Sequence, residues 1–416
     1  MRILFLSNVY PNPVQPLKGT FNRSMVAALA RQHQLQVISP VSWIDALRAR
    51  LQSGARLTQP HEEFVKGVHA DYPLFYYPPK VLRHRFGDFL WKSIQHSVTQ
   101  TLKKFQPEAV LSYWAHPDGD VALRIARMCC VPAISMVGGS DVLLLARSGK
   151  RRTAIMNVLQ QSDAVISVSQ HISDSLKLDG ISPEKLHVVY RGLDRQLFSP
   201  GDKQEARQQL KLPGKQTLFV AVGRLVDVKG HEQLLAACRV LSQQGHNFQC
   251  HILGDGPLRK QLQQQINGFD LQNCVHLSGS QSQAELVSWY RAADCVVHPS
   301  YSEGIPNVLF EAMSCGTRFV ASNVGGIPEI ADADYDLLVP PRDCNALAQA
   351  MASHMQQLHS DNGTRVFMPT SWEESARLIT KVIEQASAHL RPAVSQKTLA
   401  ALQPMLENAS AERGQA

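Results

Sequence analysis

The sequence predicts an α/β protein built from two Rossmann-like, doubly wound domains. Three observations carry that expectation. Apolar strand-like runs alternate with helical patterns along most of the chain. The runs recur at intervals of roughly 20 to 30 residues, as βα units demand and repeat arrays do not. A chain of 416 residues is most simply two domains at roughly 150 to 200 residues each. The expected spans are a first domain over 1–199, a linker over 200–216, a second domain over 217–370, a terminal amphipathic helix over 371–390 and a small, polar, aperiodic tail over 391–416.

Composition narrows the class. No apolar run approaches the roughly 18 residues that span a bilayer. The 8 cysteines are single except for Cys129-Cys130, with no CxxC and no histidine spacing suited to zinc. Neither a disulfide framework nor a metal cluster is suggested, and a reducing cytoplasm fits. Residues 1–200 hold 24 Lys/Arg against 14 Asp/Glu, and the remainder 18 against 21. A basic first half implies an anionic partner: nucleic acid, anionic lipid or a phosphate-bearing substrate.

In the first domain, residues 3–8, 36–39, 109–113, 133–136, 164–168 and 187–190 read as strands. The start, MRILFLSNVYPNP, lacks a small-residue cleavage site and reads as a first buried strand, not a signal peptide. A proline-bearing loop then runs to Gly19-Thr20, where a helix begins, and no G-x-G-x-x-G accompanies it. From Tyr72 to Phe105, aromatics interleave with Lys80, Arg83, Arg85, Lys92, Lys103 and Lys104. Three accounts fit that composition: a membrane-surface segment, a stacking platform for single-stranded nucleic acid, or a solvated helix with its aromatics in the core. His116 ends a strand on the side where open sheets bind ligands, so substrate contact and a structural role are both open. Asp118-Gly119-Asp120 opens a helix and reads as capping rather than as a metal site. Asp141, in VGGSD, is either a helix cap or a substrate-facing residue, and Arg147, Lys150, Arg151 and Arg152 extend the basic surface. PGDKQEARQQLKLPGKQ is polar and bracketed by prolines, hence the linker.

The second domain opens with TLFVAVGRLVDVKGHEQLLAA, in which Gly223-Arg224 and Lys229-Gly230 set two cations beside a helix start. Phosphate recognition wants this arrangement, a guanidinium fork with a mobile ammonium. Later, HPSYSEGIPNVLFEAMSCGTRFVASNVGGIPEI reads as strand, loop, helix and strand, with Pro306 at the first helical position and Gly316 just past the last. Free N–H groups of Asn307, Val308 and Leu309 at the helix start would suit a phosphate. Glu311, one turn or so inside, would accept hydrogen bonds from a ribose diol. By these residues alone, a nucleotide-sugar site and an ordinary parallel-sheet unit with solvated glutamates are both open. Asp332, Asp334 and Asp336 form an acidic loop without defensible metal geometry.

Glu303-x7-Glu311 within SEGIPNVLFEAMSCGTRFVASNVGGIPEI closely resembles the signature of the family-4, retaining, GT-B-type glycosyltransferases, over about thirty consecutive residues. Shorter resemblances elsewhere, among them the G-R-x4-K-G diphosphate motif at Gly223–Gly230 and the G-x-G-P turn at Gly254–Pro257, leave only the C-terminal tail uncovered. The resemblance implies the GT-B fold, two Rossmann-like domains facing a cleft, and transfer of a sugar from a nucleotide-diphosphate donor to a lipid-linked or polysaccharide acceptor. It implies Arg224 and Lys229 on the diphosphate, Glu311 on the ribose and Glu303 on the donor sugar, with the backbone of Gly19, Gly223, Gly254, Gly304, Ile305, Asn307, Val308 and Leu309 against the donor. Gly19 is otherwise a turn glycine. His116, Gly138 and Asp141 would stand on the acceptor side, with His116 among the catalytic groups. Many members carry His-Gly-x-Asp where this chain has Gly138-Gly139-Ser140-Asp141, so any role of that histidine is absent here or passes to a group such as His116. No metal and no cofactor beyond the donor substrate are expected. Family acceptors are often lipid-linked, which favours an anionic membrane surface over nucleic acid as partner, and a cytoplasmic, peripheral place on the inner membrane face. Two other functions share the features: a nucleotide-sugar epimerase of the same architecture, and a donor-binding protein without transferase activity.

Overall fold

The structure is a computed structural model that describes residues 1–57, 63–145, 149–212, 216–357 and 367–390. Arg147, residues 213–215 of the expected linker and the tail 391–416 lie outside the described residues. The chain divides into two compact units, one of residues 1–168, 172–190 and 372 onward, the other of 169–171 and 191–371.

In unit 1 the strands are β1 (Arg2–Leu6), β2 (Gln34–Ile38), β3 (Val41–Ser42), β4 (His69–Asp71), β5 (Leu74–Phe75), β6 (Ala109–Tyr113), β7 (Ala133–Val137), β8 (Ala164–Ser167) and β9 (Leu186–Val188). Its helices are α1 (Thr20–Ala30), α2 (Trp43–Ser53), α3 (Phe86–Lys104), α4 (Asp118–Cys129), α5 (Gly149–Gln161) and α6 (Gln170–Leu178). Seven strands form one parallel sheet in the order β4-β2-β1-β6-β7-β8-β9, and β3 pairs with β5 apart from it. Every residue of β6 and β7 is buried, because helices cover both faces of a parallel sheet and leave no polar side.

The aromatics between Tyr72 and Phe105 go chiefly into this core. Phe75, Tyr77 and Phe86 form one ring cluster, with centroids 4.7 and 4.8 Å apart for Phe75–Tyr77 and Tyr77–Phe86. On α3, Leu90, Ile94 and Val98 recur one turn apart and are fully buried, which leaves Lys92, Gln95, His96 and Gln100 outside. The large apolar side chains of this stretch that remain exposed are Tyr76, Val81 and Leu82. Most of the large side chains of this stretch are therefore core.

Unit 2 has its own six-stranded parallel sheet. Its strands are β10 (Thr217–Val222), β11 (Phe248–Leu253), β12 (Val275–Gly279), β13 (Cys295–His298), β14 (Arg318–Ser322) and β15 (Leu337–Val339), in the order β12-β11-β10-β13-β14-β15. Its helices are α7 (Lys203–Gln209), α8 (His231–Gln243), α9 (Arg259–Gly268), α10 (Gln283–Ala292), α11 (Asn307–Ser314) and α12 (Cys344–Gln357). The last helix, α13 (Trp372–Leu390), belongs to unit 1, where it packs on α1 and buries Ile379 and Ile383 completely.

The expected linker at 200–216 is largely structured. Asp202 caps α7 by accepting from Glu205 N–H at 2.7 Å, and the buried Arg207 guanidinium meets Asp294 at 2.5 Å and the Ala292 carbonyl at 3.0 Å. The continuous part of unit 2 runs from Arg191, so the 200–216 stretch lies within that unit, and α7 escaped the sequence reading because an arginine, not an apolar stripe, anchors it. No helix among the described residues is long and apolar enough to cross a membrane.

Candidate active site

The strand order of unit 2 reverses between β10 and β13, since β11 and β12 lie to one side and β14 and β15 to the other. Open α/β sheets bind ligands outside the carboxyl ends of the strands at such a point. The two loops that leave β10 and β13 there are laced together. Tyr301 N–H donates to the Val228 carbonyl at 2.8 Å. Gly230, at φ 66°, lies so close to Pro299 that a Cβ would fall 2.0 Å from its carbonyl oxygen, a place only glycine can occupy. That close approach sets Lys229 beside Glu303, Nζ to Oε1 at 2.6 Å.

Glu303 is bound twice through the same oxygen. His298 Nε2, at the end of β13, donates to Oε1 at 2.9 Å and lies 3.0 Å from Ser300 Oγ. Oε2 accepts from none of the described residues. Burial opposes charge on this carboxyl, but the His298 N–H and the Lys229 ammonium outweigh it and hold Glu303 well below the usual carboxylate range. His298 itself is kept neutral by burial.

Arg224 shares the β10 loop with Lys229 and is exposed. The loop beneath it is fixed by His231, whose Nε2 donates to the Arg224 carbonyl at 3.0 Å and whose burial pulls its pKa down to about 4. Gly254, at φ 148°, rests against Gly223, where a Cβ would meet the Gly223 carbonyl at 2.0 Å. Gly223 and Gly254 are thus brought together by backbone contact. Gly325 and Gly326 play the same part against the second loop, the Gly326 N–H donating to the Gly304 carbonyl at 2.7 Å.

Helix α11 starts one residue later than its sequence suggests. Pro306 is the N-cap, at φ −77° and ψ 123°, and Asn307 the first helical residue. Leu309 N–H already donates to the Pro306 carbonyl at 3.1 Å, so it is not one of the free donors expected there. Gly304 and Ile305 are buried and Asn307 and Val308 half-buried. Glu311, in the second turn and 8% exposed, accepts from the buried Tyr290 hydroxyl through Oε2 at 2.7 Å, while Oε1 accepts from none of the described residues. Burial pushes its carboxyl up to about 6, the Tyr290 hydrogen bond offsetting only part of the cost.

The remaining predicted residues lie in unit 1. Gly19, at φ 63°, opens α1, and a Cβ there would fall 2.3 Å from the Val9 carbonyl, so its turn role is real whatever else it does. His116 is 1% exposed, with Nε2 accepting from Gly87 N–H at 3.3 Å. Burial, helped by the charge of Arg151, pulls it down to about 4. It is a buried, neutral ring. Asp118 and Asp120 do not cap α4, whose N-cap is Pro117. Asp118 Oδ2 instead accepts from Asn8 N–H at 3.2 Å, and Asp120 pairs with Arg124 at 2.8 Å. Asp141 is buried and spent on backbone, accepting from Ala115, Gly138 and Gly139 N–H at 3.3, 3.1 and 3.0 Å, and it makes no cap bond to the short helical turn Ser140–Leu144, whose N-cap is Gly139. The Asp332–Asp336 loop is likewise self-bonded, Asp336 accepting from Phe319 and Asp332 N–H at 3.0 and 3.1 Å.

Comparison with known proteins decides the family. The profile of the glycosyl transferases of group 1 matches residues 202–365, and that of glycosyltransferase family 4 matches residues 19–197. The chain belongs to the group 1 glycosyltransferases. It is 27% identical over 365 residues to TuaC of Bacillus subtilis, a glycosyltransferase named for teichuronic acid biosynthesis, covering 85% of this chain and 89% of that one. It is 32% identical over 206 residues to WcaL of Escherichia coli, named for colanic acid biosynthesis, covering 48% of this chain and 49% of that one. Among solved structures, a sucrose-phosphate synthase from Thermosynechococcus elongatus superposes with a TM-score of 0.70 at 19% identity, covering 98% of this chain and all of that one. Anabaena HepE in complex with UDP-glucose gives 0.65 at 19% identity, covering 94% of this chain and 99% of that one. The fold of this group 1 glycosyltransferase is GT-B.

Three residues of the candidate site were missed or only partly read from the sequence. His298 looked like the last residue of an apolar strand, and its bond to Glu303 gave no sign beyond its place five residues upstream. Tyr290 sits in an apolar helical stripe, where a buried hydroxyl cannot be told from a core ring. Gly230 was read only as part of a diphosphate motif, although a helix-opening glycine after lysine is itself a signal of close backbone approach.

Proposed function

We propose that this glycosyltransferase moves a sugar, with retention, from a nucleotide-diphosphate donor to a lipid-linked or polysaccharide acceptor, without a metal ion. The observation that carries the donor assignment is the Lys229–Glu303 contact at the point where the strand order of unit 2 reverses. A cation on one loop and a carboxylate on the next suit the two ends of a sugar diphosphate. Arg224 and Lys229 bind the diphosphate and offset the charge that grows on it as the sugar leaves. Glu303 Oε2 and Glu311 Oε1, the oxygens not engaged within the protein, accept from sugar hydroxyls and the ribose diol respectively. N–H groups of Gly304, Ile305, Asn307 and Val308 orient the donor at the start of α11.

In the retaining course the leaving phosphate takes the proton of the incoming hydroxyl on the same face of the sugar. That requires no enzyme nucleophile, and the two acids are free to position substrate. The UDP-glucose complex of HepE supports a nucleotide-sugar donor. The names of TuaC and WcaL, from teichuronic acid and colanic acid biosynthesis, support a polysaccharide as product. A peripheral place on the inner membrane face accords with the basic first half and the exposed Val81 and Leu82.

Incubation with candidate nucleotide sugars, with and without membrane extract, tests the reading. Acceptor-dependent nucleotide release that persists in EDTA, with the donor's anomeric configuration kept in the product, is the expected result. Isomerisation of the donor without acceptor would replace it with an epimerase, and binding without turnover with a donor-binding protein.

A further inference from the structure

We propose that unit 1 carries an anion site of its own, where the Arg83–Arg85 turn packs on the first turn of α5, and that it takes a phosphate or diphosphate ester. The description of that ester as the acceptor's phosphate rests on the transferase reading; the site does not.

Helix α5 opens Gly149-Lys150-Arg151-Arg152, three cations and no acid in its first turn. That is the reverse of what the positive end of a helix favours, and without an anion the charges repel both the helix end and one another. A second cationic turn, Arg83-His84-Arg85, is packed against it. Acids answer only part of this charge: Asp179 takes Arg152 at 2.5 Å, and Asp88 takes Arg124 at 2.7 Å with Arg85 at 3.6 Å. Arg83, Lys150 and Arg151 have no ion pair among the described residues.

The second observation lies behind the turn. His116 uses Nε2 to accept from Gly87 N–H, so its proton sits on Nδ1, and that buried N–H finds no acceptor among the described residues. The buried Arg151 Nε–H is in the same position. Buried donors of this kind are rarely left unmet. Donors without acceptors, beside cations without acids, call for one ligand that brings several acceptor oxygens and negative charge, which is a phosphate or diphosphate. The exposed Val81 and Leu82 directly before Arg83 would meet an apolar chain attached to it.

The test uses the full chain with UDP at saturation, so that the proposed donor site is filled, and titrates inorganic pyrophosphate by calorimetry. Wild type should bind, and Arg83→Ala and Arg151→Ala should each weaken binding at least tenfold. Arg151→Lys should recover part of it, and Lys103→Ala, on the basic last turn of α3, should change nothing. Unchanged UDP affinity and thermal midpoint in Arg151→Ala show that the fold survives. Absence of pyrophosphate binding, or equal weakening by Lys103→Ala, overturns the site. If UDP fails to bind, the donor reading falls, and the same titration without UDP on Arg224→Ala still reads the site in unit 1. Flotation then separates the sources. Phosphatidylcholine vesicles carrying a polyprenyl diphosphate should recruit the protein over vesicles carrying phosphatidylglycerol at equal charge, through Arg151. Equal recruitment by both overturns a specific phosphate site in favour of diffuse membrane attraction.

Discussion

Glu311 is held at a cost, and removing its charge should stabilise the protein while weakening donor binding. Burial raises its carboxyl from 4.5 to about 6, and each pKa unit corresponds to about 1.36 kcal/mol, so the ionised folded state is penalised by about 2 kcal/mol. The sign follows from the direction of the shift. Below pH 4.5 the group is protonated in both folded and unfolded chains and contributes nothing. Between 4.5 and about 6 the unfolded chain loses its proton first, so stability falls as pH rises, and above that the full penalty stands. Glu311→Gln keeps a carbonyl oxygen for the Tyr290 hydroxyl and carries no charge. At pH 7 it should therefore raise stability by up to about 2 kcal/mol, or a melting midpoint by roughly 4 to 8 °C for a unit of this size, with little gain at pH 4. Scanning calorimetry at the two pH values measures the difference, and titration with nucleoside diphosphates should show weaker binding by the same variant. A variant less stable at pH 7, or equally shifted at both pH values, would refute the argument that Glu311 is a strained carboxylate kept for a ligand.

Other perturbations probe the two loops. Arg224→Ala, on an exposed side chain, should leave the melting midpoint unchanged and lower turnover by about 10²–10³-fold, since one charge-assisted contact to a transition-state anion is worth roughly 3 kcal/mol; turnover within a few-fold of wild type removes Arg224 from the mechanism. His298→Leu deletes the N–H that helps keep Glu303 ionised. Its carboxyl should then titrate higher, so the acid limb of the pH–rate profile moves to higher pH, and a superimposable profile would show that Lys229 alone suffices. Gly230→Ala forces a left-handed residue, at about 1–2 kcal/mol, and drives a Cβ onto the Pro299 carbonyl. It should lower both stability and donor affinity, and affinity retained at reduced stability would uncouple the loop lacing from binding.

Legibility in the sequence followed burial. The run read as a strand at 109–113 is β6 to the residue, because a strand buried on both faces is apolar throughout. β4, the edge strand His69–Asp71, has no buried residue and left no signal. Helix α7 was hidden for a related reason, its anchor being an arginine paired with an aspartate far along the chain. Lys229 and Glu303 are 74 positions apart, and no local pattern joins them. Their loops meet because β10 and β13 are sheet neighbours, which motif resemblance implied and periodicity could not. Asp141 shows the opposite failure. An aspartate shortly after a glycine pair reads equally well as a cap or a ligand contact, whereas the structure shows three backbone N–H groups converging on it and no cap bond. The same ambiguity surrounded His116, which strand-end position marked as accessible and tertiary packing buried.

The most direct test of the central claim is calorimetric titration of the full chain with UDP, ADP and GDP, comparing wild type with the Arg224→Ala/Lys229→Ala double variant. The account predicts that at least one nucleoside diphosphate binds wild type and that the double variant loses at least tenfold in affinity. Equal affinity in both proteins, or binding of none of the three, would contradict a diphosphate site at the loops after β10 and β13.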